Sequence, residues 1–230
     1  MDERVSETAA DGIERCLRPT AFIDSDDARI QAFTREAVGD AGTDRERAIR
    51  LYYAVRDRFR YDPYRVQLTE AHFRASACIE RGYGFCITKA VFLAAALRAV
   101  GVPARLGFGD VKNHLATARL IELNNGNVFY FHGYTEVLLD GRWVKATPAF
   151  NIELCDKFGV KPLEFDGSED SVFHPYDKSG RRHMEYVRER GSYDDLPFAE
   201  IRETFLERCP AIFQGQGGDF AAEAEAERAG

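Results

Sequence analysis

The stretch RGYGFCITKAVFLAAALRAVGVP, residues 81–103, sets a cysteine at the head of an apolar helical run. A thiol in that position feels the positive end of the helix dipole and the free N–H groups of the first turn, both of which favour the thiolate. Gly82 and Gly84 let the backbone turn tightly into it. The pattern predicts a lowered pKa for Cys86 and a role as nucleophile. A buried structural cysteine fits the same local pattern, because free Cys is among the most buried residue types. The nucleophile needs an imidazole partner. Of the five histidines (72, 114, 132, 174 and 183), only His132 falls on a predicted strand of an antiparallel hairpin.

The elements that must hold these two residues are readable. A helix is predicted over 26–38, with Ile30, Phe33 and Ala37 on one face and Gly39 as its stop. Thr43 and Glu46 have the form of a capping box, and Ala48, Ile49, Tyr52, Val55 and Phe59 follow at helical spacing towards Pro63. The 86–100 helix is apolar nearly all round apart from Thr88, Lys89 and Arg98, so it belongs in the middle of a fold. Gly101 and Pro103 end it. Strands follow: PARLGFGDV, LATARLIEL with a turn at 124–126, and VFYFHGYTEVLLDGRWVKATPAF, where Asp140-Gly141 signals a two-residue hairpin. Beyond Phe150 the pattern gives a short helix at 152–158, loops through 162–195 and a helix near 197–209. Helices first and an antiparallel sheet second make an α+β order.

GYGFCITKAVFLAAALRAVGVPAR resembles the cysteine motif of the transglutaminase-like superfamily, HGYTEV its histidine strand, and RWVKATP the strand that follows. The upstream DRERAIRLYYAVRDRFRYDPY is similar to that family's preceding helix and Tyr-containing turn, and the resemblance covers roughly 25–150. It implies a papain-like, transglutaminase-core fold in which a central Cys-bearing helix packs on an antiparallel sheet. It also implies a Cys-His-Asp triad, with Cys86 attacking an amide or ester carbonyl and His132 as base. Tyr83, Gly84 and Tyr134, beside the two motif residues, are the candidates for substrate contact.

One position departs from the family. Where its Asp precedes the proline, this chain has Thr147. With Asp140 and Gly141 at the turn, Leu139 faces Arg142, Glu136 faces Lys145 as a cross-strand charge pair, and His132 faces Ala149. Thr147 and Asn151 are then the diagonal neighbours of His132. Thr147 matches by motif position and Asn151 by chemistry, since a Cys-His-Asn set works when the thiolate–imidazolium pair carries the charge. A carboxylate such as Asp156 or Asp166 is the further option. The enzyme expected is a cysteine-dependent amide, peptide or ester hydrolase. A transamidase and a catalytically silent binding module of the same fold are the alternatives, and Thr147 favours the last.

The chain has 230 residues and a formal charge of −7, which argues against broad nucleic-acid binding. No apolar run has the length of a membrane span. The N-terminal stretch is acidic and lacks an apolar core, so no secretory signal is expected and the compartment expected is cytoplasmic. Five cysteines, none in a CxxC pair, read as reduced thiols, with no metal or cofactor implied. The partner expected is a peptide, amide or small acyl substrate. The division expected is a weakly patterned segment over 1–20, the core over 21–150, an extension over 151–213 packed on it, and a disordered tail over 214–230. Within the extension, Arg181, Arg182, His183, Arg188 and Arg190 read as a solvated loop and a short charged helix, or as a cleft wall for an acidic group.

Overall fold

A computed structural model describes residues 11–173, 177–180, 183–214 and 218–229. A helical segment over 11–15 is followed by two capped helices. Asp27 caps α1 (Ala28–Val38), and Thr43 with Glu46 closes a reciprocal box on α2 (Asp44–Arg58). The chain then makes a short strand, β1 (Arg60–Tyr61), before two small helices, α3 (Glu70–Phe73) and α4 (Ala75–Arg81). Gly82, at φ 70°, stops α4 in the left-handed region and turns the chain into β2 (Tyr83–Gly84), parallel to β1.

Helix α5 (Cys86–Ala99) is the centre of the molecule, with every residue from Cys86 to Arg98 buried. Burial of Ile87, Val91, Phe92, Leu93 and Leu97 stabilises the fold by about 1.5–3 kcal/mol each. Its two charged residues are satisfied by carbonyl oxygens: Arg98 donates to Ala104, Arg18 and Asp194, and Lys89 to Arg56, Phe59 and Ala149. Against this helix lies a four-stranded antiparallel sheet of order β5-β4-β3-β6, formed by β3 (Ala104–Asn113), β4 (Val128–Leu139), β5 (Arg142–Ala146) and β6 (Met184–Tyr193). Gly133 and Thr135 of β4 face α5. A Cβ at Gly133 would stand 3.0 Å from Ile87 Cα, and Thr135 Oγ1 donates to Ala90 O at 2.9 Å. The fold class is α+β, with the Cys-bearing helix packed on the antiparallel sheet.

Three elements differ from the sequence expectation. LATARLIEL is a helix, α6 (Ala118–Leu123), and not a strand: Thr117 accepts from Leu120 N and thereby starts a turn that buries Leu120 and Leu123. The charged segment before residue 195 is the ten-residue strand β6, and not a loop with a short helix. It is an edge strand, largely exposed, and the charges that hid its alternation are those with which edges resist further pairing. The tail expected to be disordered carries a helix, α9 (Phe220–Ala229), which buries Phe220 and Ala224. It follows α7 (Ile152–Phe158), α8 (Phe198–Arg208) and a 3-10 turn (Pro210–Phe213). His174, Arg181 and Arg182 lie outside the described residues. Among those described, no helix is long and apolar enough to cross a membrane, and no group of three or more His, Cys, Asp or Glu is placed to hold a metal.

Candidate active site

Phe85 caps α5 without a side-chain acceptor, so Thr88 reaches back to it: its Oγ1 accepts from Phe85 N at 3.0 Å. Gly84 is required here for close approach and not for a turn. A Cβ on it would lie 2.7 Å from Thr88 Oγ1 and 3.1 Å from Cys78 Sγ. The Cys86 sulfur sits among the backbone N–H groups of Gly133, Ile87 and Cys86 itself and the hydroxyl of Tyr61, all of which favour thiolate. Burial outweighs them and pushes the thiol up to about 11. The lowered pKa expected from the helix dipole is therefore corrected: the dipole acts, but a sulfur shielded from water loses more in solvation than a helix end returns.

Tyr61 reaches the site because β1 pairs with β2, placing it opposite Gly84. Its N–H donates to Asn151 Oδ1 at 3.1 Å, and its ring packs on Phe150 at 4.8 Å and Phe220 at 5.8 Å. The RYDPY run held Tyr61 in plain view, but nothing in its spacing connects it to residue 86.

His132 stands on β4 opposite Gly109, where the ladder is interrupted by a bulge. The residue before it, Phe131, has φ 53°, an uncommon conformation for a non-glycine residue. Asp110 holds it there: its Oδ1 accepts from Phe131 N at 3.1 Å and its carboxylate takes two bonds from Arg190, at 2.6 and 2.9 Å. The Arg190 guanidinium lies 4.1 Å from the Phe131 ring centre. Arg190 is thus committed to the bulge, not to an acidic ligand. Bulges next to functional sites re-aim a side chain, and here the one re-aimed is the imidazole. His132 packs edge-on against Phe173 at 4.9 Å, and burial alone pushes it down to about 3.

Cys86 and His132 line the same cavity, together with Tyr61. The third position is different. His132 Nδ1 is buried without a hydrogen-bond partner, and so is Thr147 Oγ1. The β4–β5 register is the one expected, with Glu136 opposite Lys145, but pairing ends at Thr135–Ala146. Beyond it Thr147 N donates to Ser171 O and Tyr52 donates to Thr147 O, while Lys89 draws in Ala149 O at 2.7 Å. The chain leaves the ladder before Ala149 can face His132. Asn151 instead accepts from Tyr61 N. The expected Glu136–Lys145 charge pair is also exchanged: Glu136 accepts from Arg105 Nε at 2.5 Å and Ser192 Oγ, and Lys145 meets Glu189 at 3.2 Å.

Tyr186 of β6 lies over Gly109, whose missing side chain makes the space: a Cβ there would be 3.0 Å from the Tyr186 ring. Its buried hydroxyl lies towards Thr147 without forming a hydrogen bond. Tyr134 lines a second cavity with Tyr186, Lys145 and Glu189. Tyr83 is partly exposed, with Arg65 and Arg81 over its ring, and neither Tyr83 nor Gly84 lines the cavity that holds Cys86.

Residues 31–148, just over half of the chain, match the model of the transglutaminase-like superfamily, and the chain belongs to that superfamily. No match is found among curated proteins. Solved structures that resemble it include a presumed cysteine protease of Cytophaga hutchinsonii, 18% identical with a TM-score of 0.47, the match covering 60% of this chain and 42% of that one. Another is a presumed protease of Parabacteroides distasonis, 13% identical with a TM-score of 0.37, covering 51% and 22%. The match thus spans less than half the length of either structure.

Proposed function

We propose that the protein is a cysteine-dependent acyl-transfer enzyme that hydrolyses an amide, peptide or ester bond through a thioester on Cys86. The observation that carries this is one cavity holding Cys86, at the head of α5, and His132, on the facing strand. His132 accepts the thiol proton as the sulfur attacks and returns it to the leaving group, then activates water to cleave the thioester. The N–H groups around the sulfur supply donors for the oxyanion, and Tyr61 adds a hydroxyl at the same place. Thr147 stands at the family's Asp position, but its hydroxyl and His132 Nδ1 are not bonded to each other, so the resting imidazole has no hydrogen-bond partner on that side. Residues 21–150 act as the catalytic core, and 151–213 supply part of the cavity wall. All five cysteines are free, which supports a reducing, cytoplasmic setting.

A catalytically silent module is the second reading. It is favoured by the unpartnered His132 Nδ1 and by a resting pair that is neutral on both members. Incubation with an activated ester decides between them. An enzyme gives an acyl adduct on Cys86 by intact mass and continuing product release, both lost in Cys86→Ala. Amine incorporation outrunning hydrolysis at millimolar amine makes it a transamidase, and no adduct leaves the silent module.

A further inference from the structure

We infer that the substrate of this site is an acyl compound whose acyl part is uncharged, apolar and short; the inference rests on the proposed role of Cys86. The cavity that holds Cys86 and His132 is also lined by Val66, Leu120, Phe129, Met184, Ile212 and Phe220. Among the described residues no Asp, Glu, Lys or Arg lines it. Its two asparagines are turned to their own loops: Asn113 Oδ1 accepts from Leu115 N, and Asn124 Nδ2 donates to Gly126 O and Val128 O. Besides Cys86, His132 and Tyr61, the polar side chains of the lining are Tyr130, Cys209 and these asparagines, and the rest is hydrocarbon. A carboxylate or ammonium carried into such a wall loses its water without a partner, whereas a methylene chain or a phenyl ring is favoured there. The cavity measures about 70 Å³, which suits a short acyl group.

In the covalent step the Cys86 Sγ–C bond forms at the acyl carbonyl and the carbon–oxygen bond to the leaving alcohol breaks. The thiol proton passes to His132 and from there to the departing oxygen.

The test uses the full chain and p-nitrophenyl esters of acetate, butyrate, hexanoate and decanoate. The mono-ester of adipate, which adds a terminal carboxylate, completes the set. Rates are corrected with Cys86→Ala and the adduct is located by mass. Acylation is expected to rise about threefold per methylene, roughly a hundredfold from acetyl to hexanoyl, and to stop rising by decanoyl. The adipate ester should react at least tenfold more slowly than the hexanoate. Ile212→Trp should erase the chain-length dependence. The N-acetylphenylalanine ester separates two sources of the same chemistry: preference for it places an apolar residue of a peptide in the cavity, and preference for hexanoate a free alkanoyl chain. Acetate reacting as fast as hexanoate, or adipate as fast as either, overturns the inference while leaving the nucleophile in place. If no ester acylates Cys86, the proposed function itself fails.

Discussion

Cys86 and His132 are both neutral at rest, and for one reason: each loses its water before it meets an opposite charge. The consequence for His132 is a pH dependence of stability with a definite sign. Its folded pKa lies near 3, below the ordinary value of 6.5. Above pH 6.5 both folded and unfolded chains leave it neutral, and its contribution is fully present. As pH falls from 6.5 towards 3, the unfolded chain binds a proton that the folded one refuses, and stability is lost. Between pH 6.5 and 4.5 the loss reaches about 2 kcal/mol at 1.36 kcal/mol per unit. His132→Asn should flatten this decline, measured as urea midpoints at pH 7 and 4.5. His72, pushed down to about 4 by burial, keeps a residual slope in the variant. An identical decline in both proteins would mean that His132 takes up its proton inside the fold. That Cys86 and His132 would stand together was legible from residue type and spacing; the direction of the Cys86 pKa shift was not, because burial is a property of the assembled molecule.

The helices and the hairpin were legible where capping and periodicity agree, as at Thr43 with Glu46 and at Asp140-Gly141. They were not where a tertiary contact overrides the local pattern. Lys89 is the clearest case. It reads as a break in an apolar helix, yet its three donors hold three carbonyls, one of them Ala149, and burial pushes it down to about 7. That clamp takes 147–151 out of the hairpin ladder and separates Thr147 and Asn151 from the geometry expected. The bulge before His132 is equally non-local, since Asp110 and Arg190 are far apart in sequence and meet only because β6 returns to the edge of β3. Asp110→Ala leaves the partly buried Arg190 without its carboxylate and Phe131 N without its acceptor, so it should cost about 2 kcal/mol of stability. It should also slow acylation at Cys86 under conditions where the variant remains folded. A circular-dichroism melt with the ester assay checks both. Loss of stability with full acylation would show that the bulge is not what aims His132.

At the scale of the whole molecule, the cavity is completed by the chain's last helix. GGDFAAEAEAERAG holds one large apolar residue, which is why its composition reads as tail. That residue, Phe220, packs on Tyr61, Tyr64 and Phe158, and the glutamates after it dock the helix to the core. Glu223 Oε2 accepts from Tyr64 at 2.5 Å, Glu227 accepts from Ala118 N at 2.9 Å, and Glu225 pairs with Lys157 at 3.1 Å. The helix and its neighbours exclude the water whose loss raises the Cys86 pKa, so loosening α9 should lower it. Phe220→Ala removes the ring that anchors α9, at a cost of about 3 kcal/mol. Iodoacetamide labelling of Cys86 at pH 7.5 should then quicken about tenfold, one pH unit's worth of thiolate. Cys78, fully buried and pushed up to about 11 outside this cavity, serves as the control, because general unfolding would expose both thiols together. Faster labelling of Cys86 with Cys78 unchanged establishes that the C-terminal helix governs solvent access to the sulfur. If neither thiol responds while the melting temperature falls, α9 contributes stability alone, and the wall that keeps Cys86 neutral is built from β1, β4 and Phe150.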